Sequence, residues 1–414
     1  MSAGDSGILA MQAKGGSVPG LLESAVLGRR EASGLVAEPG FRQRGEPLAG
    51  VEYISRTGLW AVKNILFVMP ILGLTGADRV IFTLLNNLDR TRFRPMLLLY
   101  KNDPGLNVLV KELRPDVEVT YLNISGRARF SFPKILTGIR RVCRKKQVST
   151  LFISSGTSNA VISPFLFLFG KRVKTIARES NLPSLFEKSA IVKFLYQYSY
   201  KNYDKIVAQS DDMREDLIKN FQIPADKIVK INNPLDYRYI NALSQRDGEP
   251  CFNENKINLL SIGRLTYQKG FDLLLNEFAK VNEPRYHLTI IGEGEDKAAL
   301  LALRKQLGLE ERVTFIDSTD NPYRFMRQAD VFISSSRWEG YPNVVIESLL
   351  CGTAVLANNY PGGINEIIDS ENGLVCDLSR DFPSALERVS RLQDVSFDVK
   401  KVDEIFNKYN ELVD

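Results

Sequence analysis

Short apolar runs separated by stretches of helical spacing recur along the chain from residue 63 to the end. Residues 64–70 form the first such run, and residues 96–100, 117–124, 150–154, 174–177 and 205–208 repeat the pattern. Runs of this kind, largely apolar, read as strands of a parallel sheet buried on both faces. Between them, Val80, Leu84, Leu85 and Leu88 fall on one face of a helix that starts near Arg79. A second series opens at residue 257, with strands expected at 287–291, 313–316, 331–334 and 354–357, each with a helix after it. Strands alternating with helices predict an α/β fold of doubly wound parallel sheets. The polar run 244–255 separates the two series and reads as an interdomain connection. The expected organisation is a disordered extension over 1–61, a first Rossmann-like domain over 62–240 and a second over 241–395. A final helix, within 396–414, would cross back onto the first domain. Two such domains in tandem leave a cleft between them, a preferred place for a ligand.

The pattern is most informative over residues 329–347. Val331-Phe332-Ile333 is strand-like, Ser334-Ser335-Ser336 ends it, Gly340 and Pro342 turn the chain, and Asn343 is placed to cap a new helix. Glu339 then falls in the loop at the strand's carboxyl end and Glu347 on the first turns of the helix. In an open α/β sheet that crevice is where ligands bind, and a helix amino terminus there favours phosphate. Two carboxylates flanking such a site suit hydroxyls on both sides of a diphosphate; the plain alternative is a strand, a turn and a helix with two solvated glutamates. A second cluster, Gly263-Arg264-Leu265-Thr266-Tyr267-Gln268-Lys269-Gly270, follows the first strand of the second series. Gly263 permits a tight turn, and Arg264 and Lys269 can meet a diphosphate, the arginine through two parallel hydrogen bonds and the lysine as a point charge.

Composition narrows the partners. Residues 62–240 carry 29 Lys and Arg against 15 Asp and Glu, whereas residues 241–414 carry 19 against 28. A basic first half suits an anionic surface. No helix-turn-helix, zinc finger or aromatic RNA-binding signature accompanies that charge, so nucleic acid is not expected. Within the basic half, Phe132, Ile135, Leu136, Ile139 and Val142 share a helical face, with Lys134, Arg140, Arg141, Arg144, Lys145 and Lys146 around it. Such a helix can lie on a membrane or be an ordinary domain helix with a solvated basic face. The run Phe165-Leu166-Phe167-Leu168-Phe169 is far short of the ~20 residues a spanning helix needs. Cys143, Cys251, Cys351 and Cys376 are scattered, which fits a reducing compartment and neither a disulfide framework nor a zinc site. The single histidine, His287, sits in a strand and cannot build a metal site or a triad.

Taken together, Gly263-Arg264-Leu265, Lys269-Gly270, and Glu339 with Glu347 resemble the retaining glycosyltransferases of family 4, which have the GT-B fold. Gly73-Leu74-Thr75-Gly76-Ala77-Asp78-Arg79, Asn233-Pro234-Leu235-Asp236 and Asn372-Gly373-Leu374-Val375 match in the same order. The resemblance implies a nucleotide-sugar co-substrate, of the UDP type, with no cofactor and no metal. It implies that Arg264 and Lys269 bind the donor diphosphate and that Glu347 binds the ribose hydroxyls. Glu339 is expected near the reacting carbon, so that Glu339, Arg264 and Lys269 carry the chemistry. Gly76 and Gly263 would line the donor site, together with Gly340, Tyr341 and the amides of Asn343, Val344 and Val345. The acceptor implied is a growing surface glycan or a polyprenyl-linked sugar, as in capsule, O-antigen or exopolysaccharide synthesis. The corresponding location is cytoplasmic, on the inner face of the plasma membrane.

Two features depart from the family. Where many members place a histidine, this chain has Ser154-Ser155-Gly156-Thr157. In Ala177-Arg178-Glu179-Ser180-Asn181, Arg178 and Glu179 are candidates for sugar or acceptor contacts, the alternative being a surface salt bridge. Ile291-Gly292-Glu293-Gly294 reads as a turn on the nucleotide side. Competing readings are a non-hydrolysing nucleotide-sugar epimerase of the same fold and a catalytically inactive nucleotide-sugar-binding protein. The epimerase needs further acid and base groups, which a single histidine does not favour.

Overall fold

The computed structural model describes residues 62–126, 131–246, 248, 251–392 and 395–414. The segment 1–61, read above as a disordered extension, lies outside the described residues. Seven parallel strands form the first sheet: β1 (Lys63–Met69), β2 (Phe93–Leu99), β3 (Glu118–Tyr121), β4 (Thr150–Ile153), β5 (Lys174–Arg178), β6 (Lys205–Ala208) and β7 (Ile228–Lys230). Their order is β3-β2-β1-β4-β5-β6-β7. The second sheet has six: β8 (Ile257–Ile262), β9 (Tyr286–Ile291), β10 (Val313–Ile316), β11 (Val331–Ser334), β12 (Ala354–Asn358) and β13 (Gly373–Cys376), in the order β10-β9-β8-β11-β12-β13. The doubly wound α/β architecture expected from the apolar runs is therefore present twice. Each sheet reverses its winding at one place, between β1 and β4 and between β8 and β11, and there the loops part to leave a crevice.

Successive residues of β1 serve opposite layers. Leu66 and Val68 join the core on one face, and Ile65, Phe67 and Met69 the core on the other. Strands this apolar on both sides need a helical layer on each. The helix α2 (Phe132–Lys145) supplies part of one layer by burying Ile135, Leu136, Ile139 and Cys143. Its apolar face is thus consumed by the protein's own sheet, which overturns a role for that face in lipid and leaves the domain-helix alternative. The other layer is closed by the last helix, α14 (Lys400–Val413), whose Tyr409, Leu412 and Val413 pack with Phe67 and Phe152. Thr150 Oγ1 donates to Val413 O at 3.1 Å, and Asp414 pairs with Lys63 and Arg92 at 3.0 and 2.9 Å.

The crossing between the halves follows the last strand of the first sheet. Helix α7 (Tyr237–Ser244) buries Leu243 and Ile240 beside Leu260, Phe332 and Met326, within the second sheet's core. The chain therefore changes layer at Asn233-Pro234-Leu235-Asp236. The halves also meet away from the cleft. The amides of Gly362 and Gly363 donate to Asp212 Oδ2 at 2.7 and 2.9 Å, and Lys230 pairs with Glu366 at 2.7 Å.

Candidate active site

The loop after β8 carries Gly263 and Arg264 and then a 3-10 turn, Tyr267–Lys269. Gly270 follows in the left-handed region, at φ 65°, and begins α8 (Phe271–Phe278). A side chain at Gly270 would be strained there and would also collide with the Ser335 carbonyl. This glycine lets the turn lie against the end of β11. The contact is stitched by Ser335 Oγ donating to Lys269 O at 2.9 Å and Arg337 N donating to Gln268 O at 2.8 Å. Arg337 lies over the Tyr267 ring, 3.9 Å from its centre, and pairs with Asp272 at 2.7 Å.

That stitching brings Lys269 Nζ to 2.6 Å from Glu339 Oε1. Ser336 Oγ donates to the same oxygen at 2.6 Å, and Gln268 Nε2 holds Trp338 O at 2.9 Å. Glu339 is nearly buried, 7% exposed, and its amide donates to Pro361 O at 3.0 Å. Arg264 is exposed and makes no ion pair among the described residues; its charge reaches Asp78, whose carboxyl burial pushes up and Thr75 and Arg264 pull back. Asp78 closes a reciprocal cap with Thr75 at the start of α1 (Gly76–Asn87). The loop Gly292-Glu293-Gly294 packs directly beneath: Gly263 N donates to Ile291 O at 3.1 Å and Leu265 N to Glu293 O at 2.8 Å.

Helix α11 (Asn343–Leu350) starts at Asn343 with Pro342 before it, so Asn343 is its first residue and not its cap. Its side chain crosses to the first half instead. Nδ2 donates to Gly76 O at 3.3 Å, and Oδ1 accepts from Asn233 Nδ2 at 2.6 Å. Asn233 Oδ1 accepts in turn from Arg178 Nη2 at 2.5 Å. Gly76, Asn343, Asn233 and Arg178 thus form one hydrogen-bonded chain across the cleft. The amides of Asn343 and Val345 donate within their own turn, to Tyr341 O and Pro342 O. Val345 is core, and Val344 and Tyr341 are partly buried against it. Glu347 is partly buried one turn on; loss of solvent pushes its carboxyl up, and Arg79 and Lys269 pull it back.

Gly340 has a different reason to be glycine: a Cβ would collide with the Ser180 carbonyl of the loop after β5. Arg178 and Glu179, at that strand's end, are 0% and 1% exposed, which overturns the surface salt bridge. Arg178 faces Asn233 and Ser154, whereas Glu179 accepts from Tyr196 at 3.1 Å, Asn159 at 3.1 Å and Tyr200. Burial drives the Glu179 carboxyl up against those donors. Sequence reasoning gave no role to Arg79, Ser336, Gln268 or Asn233. Arg79 and Asn233 lay inside quoted motifs, so that signal was present. Ser336 and Gln268 lay in quoted stretches too, but their partners are set by the approach of two loops, which sequence spacing does not show. Among the described residues no group of three His, Cys, Asp or Glu side chains is placed to hold a metal ion.

Two family models match the chain: "Glycosyltransferase Family 4" over residues 74–239 and "Glycosyl transferases group 1" over residues 246–398. The chain is 30% identical over 322 residues to the N-acetylgalactosamine-N,N'-diacetylbacillosaminyl-diphospho-undecaprenol 4-alpha-N-acetylgalactosaminyltransferase of Campylobacter jejuni. That match covers 75% of this chain and 85% of the relative. The amylovoran biosynthesis glycosyltransferase AmsD of Erwinia amylovora is 30% identical over 189 residues, covering 46% of this chain and 52% of AmsD. Among solved structures, Anabaena HepE in complex with UDP and glucose superposes with a TM-score of 0.64 at 18% identity, over 85% of this chain and 94% of HepE. Sucrose-phosphate synthase from Thermosynechococcus elongatus superposes with a TM-score of 0.70 at 16% identity, over 84% and 98%. At these identities the structures speak to the fold alone.

Proposed function

The chain belongs to the family 4, group 1 glycosyltransferases, and from that membership we propose a retaining transfer from a nucleotide-sugar donor to a surface glycan or lipid-linked acceptor. The observation that carries this reading is the cluster of Lys269, Glu339 and Ser336 at the winding reversal of the second sheet, with Arg264 exposed beside it. Arg264 and Lys269 meet the donor diphosphate, of a UDP-sugar, and Glu347 takes the ribose hydroxyls. The bond between the anomeric carbon and the diphosphate oxygen breaks, and its electron pair stays on that oxygen. The acceptor hydroxyl attacks the same face and passes its proton to the departing oxygen. Charge then grows on the diphosphate, and fixed cations in a partly dry site stabilise it without a metal. Glu339 orients Lys269 and faces the sugar; Gly76, held by Asn343, brings the first half's loop to the donor.

Two of the relatives bear on the acceptor. The Campylobacter enzyme's name describes an undecaprenol diphosphate substrate, and AmsD is named for amylovoran synthesis. A lipid-linked acceptor accords with the basic balance of residues 62–240, which we place against an anionic membrane surface on its cytoplasmic side. Among the described residues no helix is long and apolar enough to cross a membrane. Incubation with a panel of nucleotide sugars, followed by mass spectrometry of the products, tests the proposal. Release of the nucleoside diphosphate from one donor is expected; inertness towards every donor, with and without lipid-linked acceptors, would contradict it.

A further inference from the structure

Helix α5 (Ala190–Tyr198) is apolar on two faces. Val192, Leu195 and Tyr196 pack into the first half's core. On the other side Ile191, Phe194 and Tyr198 are 74%, 57% and 69% exposed, at positions i, i+3 and i+7 of one face. The rings of Phe194 and Tyr198 stack at 5.5 Å. The preceding short helix α4 (Pro183–Phe186) adds exposed Leu185 and Phe186, and Lys193 Nζ ties the two helices by donating to Ser184 O at 3.2 Å. The second apolar face takes no part in the core, and an exposed apolar patch of this kind marks an interaction site.

We infer that the α4–α5 face docks on an anionic lipid bilayer, with Leu185, Phe186, Ile191, Phe194 and Tyr198 immersed in the interface. Charge selects the occupant. Lys188, Lys193 and Lys201 flank the patch and make no ion pair among the described residues, while Glu187 is the single acidic residue within 183–202. Lysines around an apolar face suit lipid headgroups of opposite sign, with long aliphatic stems that lie along the interface. A second copy on this face would press lysines against lysines. Five apolar side chains also fall well short of the ~20–30 residues a side of a stable protein interface. Position agrees. The chain enters α4 from the loop 179–182, whose Ser180 carbonyl lies against Gly340 in the active-site cleft. A membrane under α4–α5 therefore lies beside the mouth of the cleft, where a lipid-linked acceptor would arrive. The inference deepens the proposed function by assigning the anchoring element, and it moves that element from α2, whose apolar face is spent on the core.

Flotation with vesicles of equal parts phosphatidylethanolamine and phosphatidylglycerol tests it, comparing wild type with Ile191→Ser/Phe194→Ser. Both positions are exposed, so the thermal midpoint should be unchanged. The partition coefficient should fall by about tenfold per apolar side chain removed, as expected when each leaves an apolar phase. Lys188→Gln/Lys201→Gln should weaken binding more at low salt than at high salt, because headgroup attraction is screened over about 10 Å at 0.1 M. Release of nucleoside diphosphate from a donor in the absence of vesicles should not change in either variant. Equal flotation of wild type and Ile191→Ser/Phe194→Ser would overturn the inference, as would no flotation of wild type. So would a concentration-dependent dimer that the serine variant abolishes. Failure of donor turnover with normal flotation would instead count against the proposed function and leave the anchor standing.

Discussion

Three cations surround the carboxylates of the site, two from the loop after β8 and one from α1: Lys269 on Glu339, Arg264 open to solvent, and Arg79 facing Glu347. The sequence showed the two glutamates and two of the cations, since they fall at expected ends of strands and helices. It could not show which pairs form. Lys269 reaches Glu339 because Gly270 lets one loop lie on another, a contact between positions 70 residues apart. Glu347 is the residue whose removal separates binding from chemistry. As the proposed ribose ligand it is remote from the bond being broken, so Glu347→Ala should raise KM for the donor by about tenfold or more, the worth of a hydrogen bond to a charged group. A smaller fall in kcat is expected. Steady-state kinetics on the best donor checks this; an unchanged KM with kcat abolished would assign Glu347 to the reacting centre.

At the scale of elements, the strands were legible because burial on both faces leaves an uninterrupted apolar run. Helices were legible as faces, but a face does not say what it meets. The apolar stripe of α2 suits lipid and core alike, and only its packing on Leu66, Val68 and Leu98 decides. Arg178 and Glu179, read as candidate sugar or acceptor contacts, could not be told from a surface charge pair for a similar reason. Neighbours at the end of a strand point to opposite sides, so one reaches the hinge at Asn233 and the other the tyrosines of α5 and the turn after it. Glu179 thereby ties β5 to α5 at the cost of a desolvated carboxyl. Its folded pKa is raised above the ordinary value of about 4.3. A raised carboxyl contributes its stability at low pH and loses it as pH climbs through the folded pKa. Wild type should therefore lose stability relative to Glu179→Gln as pH rises from about 4 towards neutrality, whatever the fixed offset between them. Urea melts across that range read the slope; a flat or rising difference would contradict a desolvated carboxyl here.

Over the whole molecule, the two sheets are held in register by close backbone approaches and by the chain from Gly76 through Asn343 and Asn233 to Arg178. Gly340→Ala tests that register, since the new methyl must displace the Ser180 backbone. Overpacking of this kind costs about 1–3 kcal/mol, and a misplacement near 1 Å can cost about 10²-fold in rate. Donor KM should change less than kcat in this variant, because the proposed diphosphate and ribose contacts, Arg264, Lys269 and Glu347, all lie in the second half. In the proposed reaction Arg264 and Lys269 stabilise the departing diphosphate themselves. These cations should help the transition state more than the ground state. The most direct measurement is steady-state release of nucleoside diphosphate by wild type and Lys269→Ala, with and without a chelator of divalent metals. Wild type should turn over equally in both conditions, and Lys269→Ala should lose on the order of 10²–10³ in kcat. Abolition of wild-type activity by the chelator, or an unchanged kcat in Lys269→Ala, would contradict that role of the two cations.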